Sequence, residues 1–279
     1  MPEVMSFARN SVRIHPTAIV DRNAILGVDV EIGPFAIVES GARIGDRTRV
    51  MASAFIASAA DIGADCEIHM GAVLGHAAQI RNLTGRGGGL VIGARTIIRE
   101  HVTIHRASRP GVDTTIGSDV FLLGCSHVAH DCRVGDGVTI ANGTLLAGCV
   151  TIGNGAFVSG NVVVHQWVRI GELAMIGGLS RVSKDVPPFT MVVGDSRVRG
   201  LNIVGMRRAN MSPAQRRVVR RAYGMLYRSG LSVTHAVERL RAEPSEPEIE
   251  SLLAFIAGST RGLCGPHRDC RAADFDAQP

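Results

Sequence analysis

Aromatic residues make up only 4% of this 279-residue sequence, too few for a wide core built on rings. Lysine is nearly missing: Lys184 is the only one, a bias that reflects genome composition more readily than function. No run approaches 18 apolar residues, so no transmembrane helix is expected. The stretch Met1 to Arg13 lacks the apolar segment of a signal peptide, and a cytoplasmic protein is expected. The cysteines Cys66, Cys125, Cys132, Cys149, Cys264 and Cys270 form no CxxC pair, which argues against a disulfide framework and for free thiols in a reducing compartment. What the chain does have is 46% hydrophobic residues and 33 glycines, a balance suited to a thin, stacked core. Its net charge of +5 is concentrated: Arg199 to Arg241 holds ten arginines and one acid, Glu238. Such a patch attracts an acidic partner.

An aliphatic residue recurs every six positions. It runs from Ile14 through Val20, Leu26 and Ile32 to Leu74 and Ile80, resumes at Ile92, Ile98 and Ile104, and runs again from Ile116 to Val182. The interruptions fall at Arg81 to Gly89 and Arg106 to Asp113, which read as inserted loops. Four residues after each aliphatic comes a small or β-branched residue, as at Ala18, Ala36, Thr48 and Ser180. A period of six matches neither an α-helix nor an alternating strand. It matches a short strand followed by a corner, with three units closing one triangular coil of 18 residues. The aliphatic fills the interior and the small residue fits the corner. The expected fold is mainly β: a parallel β-helix of hexapeptide repeats over residues 1–190, with Ile80 pointing inward.

The phase is lost at Val186-Pro187-Pro188. Residues 191–211 read as a connection and 212–263 as a helical domain. Ser212-Pro213-Ala214-Gln215 reads as a capping box with Pro at the first helical position, opening a helix that stops near Gly230. Ser232 caps a second helix to about Arg241, and Ser245-Glu246-Pro247-Glu248 opens a third that ends near Gly262. Residues 264–279 read as a loose tail.

An 18-residue coil places His130, Gly148 and Gln166 in one stack along an edge, with Asp131 and Cys149 in the next. A general base needs an imidazole whose tautomer is set by a neighbour, and His127-Val128-Ala129-His130-Asp131 supplies one beside a carboxylate. Gly148, one coil up, can present a backbone N–H to a developing oxyanion. Against this stands the ordinary role of turn histidines as surface residues, and a histidine zinc site between subunits is a further alternative. Convergence of His127, His130, His165 and Gln166 on one edge favours the catalytic reading.

These residues resemble the acyl carrier protein–UDP-N-acetylglucosamine acyltransferases of lipid A synthesis, over about residues 12 to 263. The resemblance is carried by His15-Pro16-Thr17-Ala18-Ile19-Val20, Ile98-Arg99-Glu100, Val102-Thr103-Ile104-His105-Arg106, His127-Val128-Ala129-His130-Asp131-Cys132 and Val164-His165-Gln166. Asp185-Val186-Pro187-Pro188, Tyr227-Arg228-Ser229-Gly230 and Ser259-Thr260-Arg261-Gly262-Leu263 follow in order. The resemblance implies a left hand for the β-helix, a homotrimer with sites between neighbouring subunits, and transfer of a 3-hydroxyacyl chain from acyl carrier protein to the 3-position of UDP-N-acetylglucosamine, the first step of lipid A synthesis. It implies no metal and no cofactor beyond the phosphopantetheine that arrives on the carrier, and no nucleic acid partner. His130 then resembles the general base, beside Asp131, with Gly148 N–H at the oxyanion. His105, His127, His165, Gln166, Asn202 and Arg208 match positions lining the site, and Gly178 matches one that limits acyl-chain length. Arg216, Arg217, Arg220 and Arg221 suit the acidic carrier protein, with a solvated helix face as the plain alternative.

The departures fall on the acceptor side. An Asp and a Lys of the family become Ile80 and Asn82, with Arg81 between them as a possible substitute contact to the sugar. The position above Asp131 is Cys149 rather than His, and Val204 and Ala209 replace a Glu and an Arg. Two rivals follow: the same transfer to another acceptor, such as a 3-amino sugar nucleotide, and a catalytically degenerate trimer that only binds.

Overall fold

The computed structural model describes residues 11–267 apart from residue 86. The solenoid is a left-handed parallel β-helix whose short strands assemble into three parallel sheets. In the first coils each strand pairs with the one 18 residues on, as Arg13 with Glu31 and Ile32 with Val50. The spacing widens where loops are inserted: Leu74 pairs with Ile104, and Ile104 with Val128. It returns to 18 from Val128 to Leu146 onward.

The aliphatic ladder is the interior. Ile32 to Leu74, Ile92 to Ile104 and Ile116 to Val182 are at most 3% exposed at every sixth residue. Each contributes on the order of 1.5–3 kcal/mol by burial, which is what holds the stack together. Threonines at the corner positions satisfy themselves locally, as Thr48 Oγ1 donates to the Gly63 carbonyl at 2.8 Å and accepts from Cys66 N–H at 3.0 Å, whereas the buried Ser126 and Ser180 hydroxyls make no hydrogen bond among the described residues. Ile14 is 47% exposed because its coil is covered on one side only among the described residues.

Ile80 departs from expectation. It is 39% exposed, on the loop between the strands Val73–His76 and Gly89–Ile92. Ala78, at 8%, is the last residue in phase; the chain leaves the solenoid after it, and the aliphatic two positions later keeps the count by coincidence. Gly89 and Asp113, expected in loops, each begin a strand and pair with one another.

The expected connection 191–211 is partly sheet. Thr190–Val193 pairs parallel with Met175–Ile176, and Arg197–Leu201 folds back antiparallel on it. Val192 and Val198 are fully buried, so this hairpin covers the open end of the coil stack. Four helices follow: Ile203–Arg208 (α1), Pro213–Tyr227 (α2), Val233–Arg241 (α3) and Pro247–Ala257 (α4). The Ser212–Gln215 capping box forms at α2, and Ser232 caps α3. Helix α4 ends at Gly258, short of Gly262, because Ser259 turns the chain back to donate to Asp185 at 2.6 Å. Val218, Ala222, Leu226, Ala236, Leu240, Ile249 and Leu252 give α2 to α4 a small core of their own. Arg169 fastens α4 to the solenoid, donating to the Phe255 carbonyl at 2.9 Å with its guanidinium 4.5 Å from the Phe255 ring centre. Residues expected to begin a loose tail are packed instead: Cys264 is 1% exposed, and Gly265–Pro266 pairs with Arg197 and Val198. Residues 268–279 of that expected tail, and Cys270 with them, lie outside the described residues, as do residues 1–10.

Candidate active site

One edge of the solenoid carries the expected stack. Cys149 N–H donates to the His130 carbonyl at 3.0 Å and Trp167 N–H to the Gly148 carbonyl at 3.2 Å, so His130, Gly148 and Gln166 follow one another coil by coil. The next residue at each of these corners, Asp131, Cys149 and Trp167, turns the chain in the left-handed region at φ of 62°, 62° and 68°. That conformation costs about 1–2 kcal/mol for a residue with a Cβ, and the repeated corner imposes it.

His130 Nδ1 lies 2.6 Å from Asp131 Oδ2. Asp131 is in turn held by a residue that the periodic reading did not single out. Ser108, on the second inserted loop, donates its N–H to Oδ1 at 3.1 Å and its hydroxyl to Oδ2 at 2.7 Å. Asp131 N–H donates to Thr114 Oγ1 at 2.8 Å. Burial pushes the Asp131 carboxyl up, but the Ser108 and His130 hydrogen bonds outweigh it and hold the group below its ordinary value. An ionised Asp131 only accepts, so the proton between them belongs to His130 Nδ1, and in the neutral ring the lone pair is then on Nε2. The dyad is accessible, with side-chain exposures of 13% and 11%.

Gly148 faces the ring. A Cβ there would stand 2.6 Å from His130 Cε1 and 2.7 Å from Nε2, so no side chain fits while the ring stays in place. Its N–H makes no hydrogen bond among the described residues, as is also true of His130 and Gln166 at the same corner. The unbonded Gly148 N–H and the His130 ring thus meet at one corner of the solenoid.

A row of histidines, on three neighbouring strands of one sheet, leads from the dyad toward the first inserted loop. His105 and His127 rings are 5.3 Å apart at their centres, and His76, absent from the sequence-based set, stands 6.4 Å from His105. His105 Nδ1 donates to the Ala77 carbonyl at 2.5 Å, and His127 Nδ1 meets Thr103 Oγ1 at 2.7 Å. Burial, followed by repulsion from neighbouring histidines, lowers the pKa of both rings. Arg81 and Asn82 lie exposed on the same loop, Asn82 at φ of 62°.

Cys149 stands next to Asp131. Burial, then the Asp131 charge, pushes its thiol up, while Arg109 opposes them. This environment protects a thiol rather than activating a thiolate. A cavity of about 310 Å³, lined by Arg109, Asp131, Cys149 and Trp167 among others, opens beside the pair.

Other expected site residues sit elsewhere on the prism. His165 and Gln166 are exposed one coil above Gly148. Gly178 lies on the neighbouring edge, in a stack with Gly160, whose carbonyl accepts from Leu179 N–H. Asn202 and Arg208 belong to α1, at the third edge: Asn202 caps α1 by accepting from Gly205 N–H at 2.9 Å and donates to the Leu173 carbonyl at 2.8 Å. α1 and His130 thus stand on different edges of one chain.

The four carrier-protein arginines separate. Arg217 and Arg220 are exposed and line a cleft with Arg207 and Arg216. Arg216 is tied down by the Met211 carbonyl at 2.7 Å. Arg221 pairs with Glu243 at 3.0 Å and Glu246 at 2.7 Å, binding α2 to the segment between α3 and α4.

The hexapeptide solenoid, with a histidine held by Asp131 against Gly148, points to the class of hexapeptide-repeat transferases. A profile described as bacterial transferase hexapeptide (six repeats) matches residues 113–148, and one described as UDP N-acetylglucosamine O-acyltransferase, domain 2, matches residues 185–264. The acyl-[acyl-carrier-protein]–UDP-N-acetylglucosamine O-acyltransferase of Gloeothece citriformis is 40% identical over 185 residues, 65% of this chain and 67% of that protein. The Syntrophobacter fumaroxidans protein of the same name is 43% identical over 178 residues, 62% of this chain and 69% of its own length. The sequence matches thus span about two thirds of these relatives. The crystal structure of LpxA from Acinetobacter baumannii superposes with a TM-score of 0.86 at 37% identity, covering 90% of this chain and 98% of that one. The chain belongs to the acyl-[acyl-carrier-protein]–UDP-N-acetylglucosamine O-acyltransferase family, and it is an acyltransferase.

Proposed function

We propose that the protein transfers a 3-hydroxyacyl chain from acyl carrier protein to the 3-hydroxyl of UDP-N-acetylglucosamine in lipid A synthesis, with His130 as general base. The observation that carries this reading is the chain of hydrogen bonds Ser108–Asp131–His130, which leaves Nε2 free beside the Gly148 N–H. The sugar hydroxyl gives its proton to Nε2 as its oxygen attacks the thioester carbonyl. Asp131 stabilises the imidazolium that forms, and Gly148 N–H donates to the oxyanion. Collapse of the tetrahedral intermediate expels the phosphopantetheine thiolate, which takes the proton back from His130. Attack is direct, since the Cys149 thiol is pushed up rather than activated. The reaction as written uses no metal or redox cofactor.

We propose that the protein is a homotrimer, a reading that the placement of the residues supports. His130, Gly178 and α1 occupy three different edges of one prism, so a single site that uses all three draws them from two neighbouring subunits. The exposed Leu145 and Val163 lie on the face between the His130 and Gly178 edges and suit an acyl chain. Gly178 leaves that path open, because a Cβ there would meet only ordinary contacts at 3.5 Å. Arg217 and Arg220 suit the acidic carrier.

A second reading, transfer to a different sugar nucleotide such as a 3-amino sugar, is favoured by one observation: Ile80 is exposed on the acceptor-side loop and offers no hydrogen bond. The purified protein should therefore be assayed with acyl carrier protein thioesters against UDP-N-acetylglucosamine and its 3-amino analogue. Preferred acylation of the hydroxyl supports the first reading and preferred acylation of the amine the second. No transfer to either leaves a binding protein.

A further inference from the structure

We propose that His130, Asp131 and Cys149 form a zinc site, and that a divalent transition metal bound there switches the enzyme off. Each residue offers one ligand atom, and these atoms lie within 4.8 Å of one another. It is the only such group of three among the described residues. Tetrahedral zinc with nitrogen, oxygen and sulfur ligands needs separations of roughly 3.3–3.6 Å, given bond lengths of about 2.0–2.3 Å. Side-chain rotations of about an ångström close the set.

The sulfur is available. Cys66, Cys132 and Cys264 are buried, and each thiol donates to a backbone carbonyl. Cys149 is half-buried, and its thiol makes no hydrogen bond among the described residues. The adjoining cavity of about 310 Å³ gives water room to complete the coordination. Ser108 already holds the carboxylate in place by two hydrogen bonds. Supporting bonds of this kind orient ligands and strengthen a site. A thiolate, an imidazole and a carboxylate together favour zinc, cobalt or copper over magnesium or calcium. Binding releases the thiol proton to solvent; with the metal on Nδ1, the side of the ring that faces Asp131, the ring proton moves to Nε2, which can then no longer accept the proton of the acceptor hydroxyl. The inhibition rests on His130 being the base; the binding does not.

The test uses the full-length protein carrying Cys125→Ser and Cys270→Ser, titrated with Co²⁺ and then Zn²⁺. A thiolate-to-cobalt charge-transfer band that zinc displaces is expected, and it should vanish in Cys149→Ser. Zinc affinity should fall at least 10–100-fold in Cys149→Ser and in His130→Ala. Absence of the band, or its persistence in Cys149→Ser, overturns the site. In parallel, zinc should inhibit the parent protein at the concentration that displaces cobalt, and chelator should restore the rate. Metal binding without inhibition overturns the switch. If the site binds metal while metal-free His130→Ala keeps full turnover, the zinc site stands and the base reading fails.

Discussion

The Gly148 backbone lies against the His130 ring so closely that a Cβ would stand 2.6 Å from Cε1. The proposed base and oxyanion donor are therefore one packed unit, built from residues one coil apart. Gly148→Ala should push the imidazole off its position while leaving the aliphatic interior untouched. A displacement of about 1 Å costs on the order of 10²-fold in rate. The expected outcome is a kcat loss of about that size with an unchanged thermal midpoint; a rate within a few-fold of wild type would separate Gly148 from the base.

Acid should weaken the fold near neutral pH. His105 and His127 have lowered pKa values in the folded protein, from burial first and then from neighbouring histidines. A lowered folded pKa means that the unfolded chain binds the extra proton first. Their contribution is therefore complete above the unfolded histidine value of about 6.5 and is lost as pH falls through the folded values. Asp131, also lowered, adds a loss of the same sign that begins as pH falls through its unfolded value of about 3.9. The thermal midpoint should be flat above neutrality and fall on acidification, and the fall should shrink in His105→Gln, His127→Gln. An undiminished fall in that double variant would place the acid-sensitive groups elsewhere.

The arginines of α2 should divide by function. Arg217→Glu with Arg220→Glu should raise KM for the acyl carrier donor far more than for the sugar, with strong salt dependence, because both side chains are exposed. Arg221→Ala should instead lower the thermal midpoint, since it removes the partner of Glu243 and Glu246. These are part-exposed pairs, so the loss is modest, on the order of 1 kcal/mol or less. Equal effects on both substrates from the Arg217, Arg220 variant would point to a folding defect.

Much of this was legible because a period of six is a strong constraint. It located the buried ladder, and the 18-residue coil placed His130 under Gly148 and Asp131 beside Cys149. What escaped has physical reasons. Ser108 lies on an inserted loop, where no repeat relates position in sequence to position in space. His76 ends the strand Val73–His76 and meets His105 only through a register shift after Leu74, which a count of six does not carry. Ile80 kept the count after the chain had already left the solenoid at Ala78. The acids that pair with Arg221 come from beyond α3, a tertiary meeting that a helical pattern does not encode. Gly265–Pro266 joins the sheet through backbone pairing alone, which leaves no mark in side-chain pattern.

The acceptor side should respond to charge. Ile80→Asp with Asn82→Lys adds two charged hydrogen-bonding groups to the exposed loop, each worth about 1.5–3 kcal/mol where a partner meets it. The double variant should gain at least about tenfold in kcat/KM for UDP-N-acetylglucosamine. No gain over a robust wild-type rate would mean that other residues, Arg81 among them, already grip the sugar.

The most direct test of the whole account is single-turnover acyl transfer by His130→Ala, followed with acyl carrier protein thioester and UDP-N-acetylglucosamine. Loss of a general base costs on the order of 10²–10⁴-fold, and the His130 ring, though only 13% exposed, lies at a corner outside the hydrophobic core, so the rate should fall by that factor with the oligomer intact. A folded, assembled His130→Ala protein that turns over within a few-fold of wild type would contradict the central claim.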